Sequence, residues 1–145
     1  VRMTRFWITL RQGACLVLNA MHRMHGGEIY IPKIPSMRVT DLARVVAPEC
    51  RTEIVGIRPG EKLHEVMVPV DDGRSTLEFD DHFVIHAPTL KPAPAAPGTP
   101  AGRPCPDGFY YGSDNNTEWL DEAALQSMVS GIAGEGDPFA NLTRA

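Results

Sequence analysis

Gly56-Ile57-Arg58-Pro59-Gly60-Glu61-Lys62-Leu63-His64-Glu65 is the stretch on which the reading of this chain turns. A short apolar run ends in an arginine, reverses at Pro59-Gly60 and presents Glu61 at the head of a segment whose Leu63, Val66 and Met67 recur at helical spacing. Proline fixes φ for a tight turn, and glycine tolerates the positive φ that follows. Arg58 brings a planar guanidinium fork that matches phosphate oxygens, and Glu61 an acceptor suited to hydroxyls, a pairing that favours a phosphorylated sugar. A strand at about 53–57, the turn and a short helix at about 61–67 are expected to form one unit. An ordinary strand–turn–helix junction with a solvent-facing ion pair would be built from the same residue types, so the stretch alone leaves both readings open.

Upstream, Thr9 followed by Gln12 is a capping-box start, and Leu10, Ala14, Val17, Leu18 and Met21 keep helical spacing until Gly26-Gly27. The pattern predicts a helix from about 10 to 24, then a short strand at 28–31 stopped by Pro32 and Pro35. Thr40 is the expected cap of a second helix running to about Ala47 and ended by Pro48. Downstream, Asp71-Asp72-Gly73-Arg74 reads as a polar turn, and 77–79 and 83–86 as short strands flanking Asp80-Asp81. Between Pro88 and Pro106 stand seven of the chain's 13 prolines, interleaved with Ala, Gly and Thr, a composition that reads as an extended linker or surface excursion. Beyond it, Phe109, Tyr110, Tyr111 and Trp119 offer anchors, Leu125, Met128 and Ile132 predict a last short helix, and the final ten or so residues are expected to fray.

The 145 residues suffice for one modest domain. A formal net charge of −4 argues against non-specific nucleic-acid binding. Residues 1–44 nevertheless hold seven Lys/Arg against two acids, so a phosphate-facing surface is expected near the front. Cys15, Cys50 and Cys105 are odd in number and widely spaced, which suggests reduced thiols in a cytoplasmic protein rather than a disulfide framework or a zinc site. No apolar run approaches a membrane span, and no signal-peptide pattern is visible. Patterned sequence begins at once after Val1, as in a piece of a longer protein.

Several chemistries fail on spacing. His64-Glu65 opens like a zincin motif, but Val68 stands where the second histidine is required. Tyr30 and Lys33 are one residue too close for a helical Tyr-x-x-x-Lys pair, and the prolines around them deny the helix. No G-x-G-x-x-G is present, hence no dinucleotide fingerprint. The pairs His22/His25 and His82/His86 lack an evident third metal ligand. No nucleophile–base pair is discernible, so no catalytic residue is assigned.

Taken together, Met3–Thr9, Gly26–Met37, Thr40–Ala43, Gly56–Glu65 and Leu77–Phe79 closely resemble the inverting UDP-N-acetylglucosamine 4,6-dehydratases of the extended short-chain dehydrogenase/reductase class. The likeness is dense to about residue 86 and returns at Asn115–Leu120; the proline-rich stretch departs from it. It implies a NADP-dependent reaction of the pseudaminic acid pathway: oxidation at C4 of the sugar, loss of water across C5–C6 with inversion at C5, and return of the hydride. In that family the cofactor loop and the Tyr/Lys pair lie in an N-terminal part that does not match here. The resemblance therefore implies an α/β, C-terminal substrate-binding part of an extended short-chain dehydrogenase (Rossmann-type) fold, inactive alone. Carried over by motif, Arg58 contacts the UDP pyrophosphate, Glu61 a hydroxyl of the nucleotide or sugar, and Arg5 is a third contributor.

The expected organisation is a nucleotide-sugar-binding region at 1–87, a proline-rich linker at 88–107 and a C-terminal segment at 108–145. The partner is a UDP-sugar, with neither nucleic acid nor membrane, and the complete enzyme is expected to be a homo-oligomer. Rival readings are a retaining dehydratase or a 4-epimerase of the same class, or a non-catalytic nucleotide-sugar-binding module.

Overall fold

A computed structural model of the chain describes residues 2–87 and 101–134. Strand β1 (Thr4–Phe6) leads into α1 (Leu10–Arg23), whose capping box forms as the Thr9/Gln12 spacing requires. The Thr9 hydroxyl accepts the Gln12 amide at 3.2 Å, and Gln12 Oε1 accepts the Thr9 amide at 2.9 Å. Strand β2 (Ile29–Pro32) follows, then β3 (Ser36–Arg38), which pairs antiparallel with β1. Helix α2 (Val39–Val46) starts directly after β3. Thr40 is therefore not its cap: Arg38 precedes the first turn, no side chain caps it, and the Thr40 hydroxyl turns to Asp41.

The remaining elements are β4 (Val66–Val68), the single turn α3 (Val70–Gly73), β5 (Thr76–Glu78), β6 (His82–Ile85), β7 (Arg103–Pro104), β8 (Tyr111–Gly112) and α4 (Glu122–Gly134). The largest sheet has the order β2-β6-β5-β7, all antiparallel. Lying second in that order, with neighbours on both sides, β6 is buried at every position and reads as a near-continuous apolar run. β4 and β8 form a separate two-stranded pair. Ile31, Val68, Phe83, Ile85 and Tyr111 make the core, with Phe6, Met67, Cys105 and Phe109 packed on it. Phe83 and Tyr111 meet at 4.9 Å between ring centroids, tilted by 48°, a favourable aromatic geometry.

Two expectations beside the Pro-Gly turn are corrected. Residues 53–57 form no strand: Ile54, Val55 and Ile57 are exposed, and no sheet edge among the described residues takes them up. Residues 61–67 form no helix, because their backbone bonds run across the fold rather than back along the chain: Thr4 N–H donates to Leu63 O at 3.1 Å and Ser113 N–H to Glu65 O at 2.8 Å. Val66 and Met67 belong to β4 instead. The Asp71–Arg74 turn is largely α3, in which Gly73 lies so close to Phe109 that an added Cβ would stand 2.6 Å from its carbonyl oxygen.

Residues 88–100 of the expected linker, and 135–145 where fraying was expected, lie outside the described residues. The last part of the expected linker is sheet: β7 pairs with β5, and Cys105 N–H donates to Thr76 O at 3.0 Å. Pro104 fits there because β7 is the edge strand. The segment beyond 108 contributes Tyr111 and the fully buried Leu125 to the interior. Arg44 joins α2 to α4 through Glu122.

Candidate functional site

Arg58 and Glu61 close a turn on each other. Glu61 N–H donates to Arg58 O at 3.0 Å, and Arg58 N–H donates to Glu61 Oε2 at 3.1 Å. Gly60 has φ +80° and Gly56 φ +86°, conformations that an L side chain rarely adopts, so the backbone at both positions depends on glycine. Both Arg58 and Glu61 are exposed, and no hydrogen bond or ion pair among the described residues engages the Arg58 guanidinium. The turn thus presents a cationic fork with no protein partner among the described residues, on the same turn as a carboxylate that already carries one backbone donor. Such an arrangement can grip phosphate oxygens bidentately.

Arg5 lies at the foot of this loop rather than on its tip. Its Nη1 donates to Thr4 O at 2.7 Å and Leu63 O at 3.3 Å, and its Nη2 to Lys62 O at 3.0 Å. Nε stands 3.7 Å from Glu65 Oε1, while Glu65 Oε2 accepts the Phe6 amide at 2.9 Å. Arg5 and Glu65 together tie residues 62–65 to β1.

Four residues with a part here, Thr4, His64, Glu65 and Ser113, have no role assigned from the sequence, where His64-Glu65 figures only as a failed zincin motif. Thr4 Oγ1 is 2.7 Å from His64 Nδ1 and 2.7 Å from Ser113 Oγ, and Ser113 Oγ accepts the Glu65 amide at 2.9 Å. Thr4 and Ser113 are buried. One polarity satisfies every group: the Ser113 hydroxyl donates to Thr4, and the Thr4 hydroxyl to His64 Nδ1. The reverse polarity leaves the buried Ser113 hydroxyl with no acceptor among the described residues. Thr4 lies inside the quoted Met3–Thr9 motif, a usable signal; Ser113, 109 residues from Thr4, carried none.

Other clusters are self-contained. Arg38 stacks over Trp119 at 5.3 Å, and Arg44 pairs with Asp41 at 3.2 Å and with Glu122, so the groove between α2 and α4 holds its cations in internal pairs. His82 is stacked on Phe79, 4.6 Å between centroids, and bonds Asp81 at 2.6 Å, which holds the Asp81 carboxyl below the usual carboxylate range. Among the described residues no group of three or more His, Cys, Asp or Glu stands ready for a metal ion. The described residues do not fit a dinucleotide: every named strand pair is antiparallel, whereas that site needs a parallel β–α unit opened by a glycine-rich turn.

The profile of the family described as "Polysaccharide biosynthesis protein" matches residues 1–87, more than half of the chain and the whole of the Arg58 loop. The chain belongs to this family. The chain is 45% identical over 139 residues to an inverting UDP-N-acetylglucosamine 4,6-dehydratase of Campylobacter jejuni strain 81-176, covering 92% of this chain. It is 31% identical over 87 residues to a UDP-glucose 4-epimerase of Rickettsia massiliae, covering 57% of this chain and 26% of that one. The chain spans 41% of the dehydratase's length. The solved structure of Pen from Bacillus thuringiensis superposes with a TM-score of 0.73 at 26% identity, over 91% of this chain and 39% of that one. The fold is accordingly α/β, that of the C-terminal part of an extended short-chain dehydrogenase, as the resemblance implied.

Proposed function

We propose that this chain forms the nucleotide-sugar grip of a UDP-N-acetylglucosamine 4,6-dehydratase, C5-inverting, acting in surface-glycan or pseudaminic acid biosynthesis. One observation carries the reading: an exposed Arg58 fork on a glycine-dependent turn, closed by Glu61 and footed on β1 through Arg5. Arg58 takes the pyrophosphate, and the free oxygen of Glu61 a hydroxyl of the nucleotide or sugar. Arg5 acts at one remove, with its donors on the loop carbonyls. The names of the two relatives, a UDP-N-acetylglucosamine dehydratase and a UDP-glucose epimerase, have UDP in common, which supports recognition of the nucleotide half. NADP supplies the redox chemistry of the complete enzyme, held outside the described residues, and no chemical step falls to this chain's own side chains. The chain alone is expected to turn over no UDP-N-acetylglucosamine with NADP.

Titration of UDP into the chain tests the grip. A hydrogen bond to a charged group is worth roughly 1.5–3 kcal/mol, so Arg58→Ala is expected to weaken UDP by about one to two orders of magnitude. Arg58→Lys keeps the charge without the fork and recovers part of that loss. Equal affinity in wild type and Arg58→Ala would remove the phosphate role.

A further inference from the structure

The stretch from Cys50 to Gly60 is exposed at every residue. Within 50–62, the hydrogen bonds of the described residues that reach beyond neighbouring positions begin at Lys62, whose carbonyl Arg5 holds. From there the anchor passes through Leu63, His64 and Glu65 onto Thr4 and Ser113. Ser113 holds Glu65 from both sides, accepting its amide at 2.9 Å and donating its own to the Glu65 carbonyl at 2.8 Å. Its hydroxyl then reaches Thr4, which holds the ring of His64. Three separate parts of the chain, β1, the Arg58 loop and the residues after β8, therefore meet in one hydroxyl–imidazole chain whose two hydroxyl members are buried. A buried chain of this kind is costly when half satisfied and rigid when complete. Its geometry resists displacement of residues 63–65, and the turn that carries Arg58 projects from that anchor.

We propose that Ser113 and Thr4 are positioning residues for the Arg58–Glu61 turn, so that the polypeptide beyond the proline-rich stretch takes part in gripping the nucleotide. The inference rests on the reading of Arg58 as the pyrophosphate contact, and extends it to a residue with no ligand contact of its own. Thr4→Val removes the hydroxyl at nearly constant shape, Thr4→Ser retains it, and Ser113→Ala removes the hydroxyl that accepts the Glu65 amide and reaches Thr4 while leaving the backbone bond from Ser113 N–H to the Glu65 carbonyl.

Hydrogen exchange and UDP titration on these three variants of the full chain provide the test. Thr4→Val and Ser113→Ala are expected to speed exchange of the Glu61 amide by about tenfold while exchange in β6 stays unchanged, and to weaken UDP by about five- to tenfold. Thr4→Ser is expected to match wild type in both. Should Ser113→Ala fail to fold, the Thr4 pair decides alone. The proposal is overturned if Thr4→Ser is as damaging as Thr4→Val, or if both hydroxyl-deleting variants keep wild-type affinity while Arg58→Ala loses it. If wild type itself takes no UDP, the pyrophosphate reading falls, and Glu61 exchange alone decides the positioning: faster in Thr4→Val supports it, unchanged overturns it.

Discussion

Lys33 and Glu78 meet across the sheet at 2.8 Å, with Lys33 Nζ also 4.8 Å from the Phe83 ring centre and Arg103 3.6 Å from the second Glu78 oxygen. The Lys33 hydrogen bond holds the Glu78 carboxyl below the usual range, against the opposing effect of burial and with further help from the two cations. A carboxyl depressed in the folded state contributes stability above its unfolded pKa and loses that contribution as pH falls through the folded value. Wild type is therefore expected to lose more thermal stability than Glu78→Gln as pH falls from about 5 to about 3; parallel losses in the two proteins would show the pair to be inert. The same scale shows what sequence can and cannot convey. The turn that carries Arg58 and Glu61 is legible because Pro59-Gly60 marks it locally, whereas Lys33 enters the sequence reading only as a failed partner for Tyr30. The Thr4–Ser113 contact spans most of the chain, and no local pattern encodes a pair formed by tertiary packing.

Elements whose signals are local emerged close to their expected bounds. Helix α1 has its own capping box, and β5 and β6 lie within one residue of the expected 77–79 and 83–86. Residues 53–57 have strand composition but no partner edge among the described residues to realise it, whereas 61–67 have helical spacing but backbone groups already bonded to β1 and Ser113, so tertiary pairing overrode propensity there. Two glycines separate local from tertiary demand. Gly13 sits inside α1, where an added methyl would meet nothing within 4 Å, so Gly13→Ala is expected to stabilise by about 0.5–1 kcal/mol. At Gly73 the added methyl meets the Phe109 carbonyl, and Gly73→Ala is expected to cost roughly 1–3 kcal/mol. Denaturant midpoints of the two variants, expected to move in opposite directions, check both.

At the scale of the molecule, the interior is concentrated around β6 and Tyr111, while α1 contributes no buried residue to it. Leu10, Val17, Leu18 and Met21 are 56–66% exposed along that helix, and Ile8 continues the apolar surface at its start. A helix of 14 residues draws little stability from propensity alone and ordinarily depends on packing an apolar face. Left in water, a contiguous face of this kind promotes association. The chain is therefore expected to be marginally stable and to sediment as concentration-dependent oligomers, with a broad thermal transition. Replacing Leu18 and Met21 together by Gln should lower the apparent mass toward the monomer while leaving UDP affinity unchanged, since the Arg58 loop is anchored on β1 and Ser113 rather than on α1. A wild-type monomer with a sharp cooperative transition at all concentrations would instead show that the β6 core suffices on its own, and that α1 is held by its cap and local pairs without a covering partner.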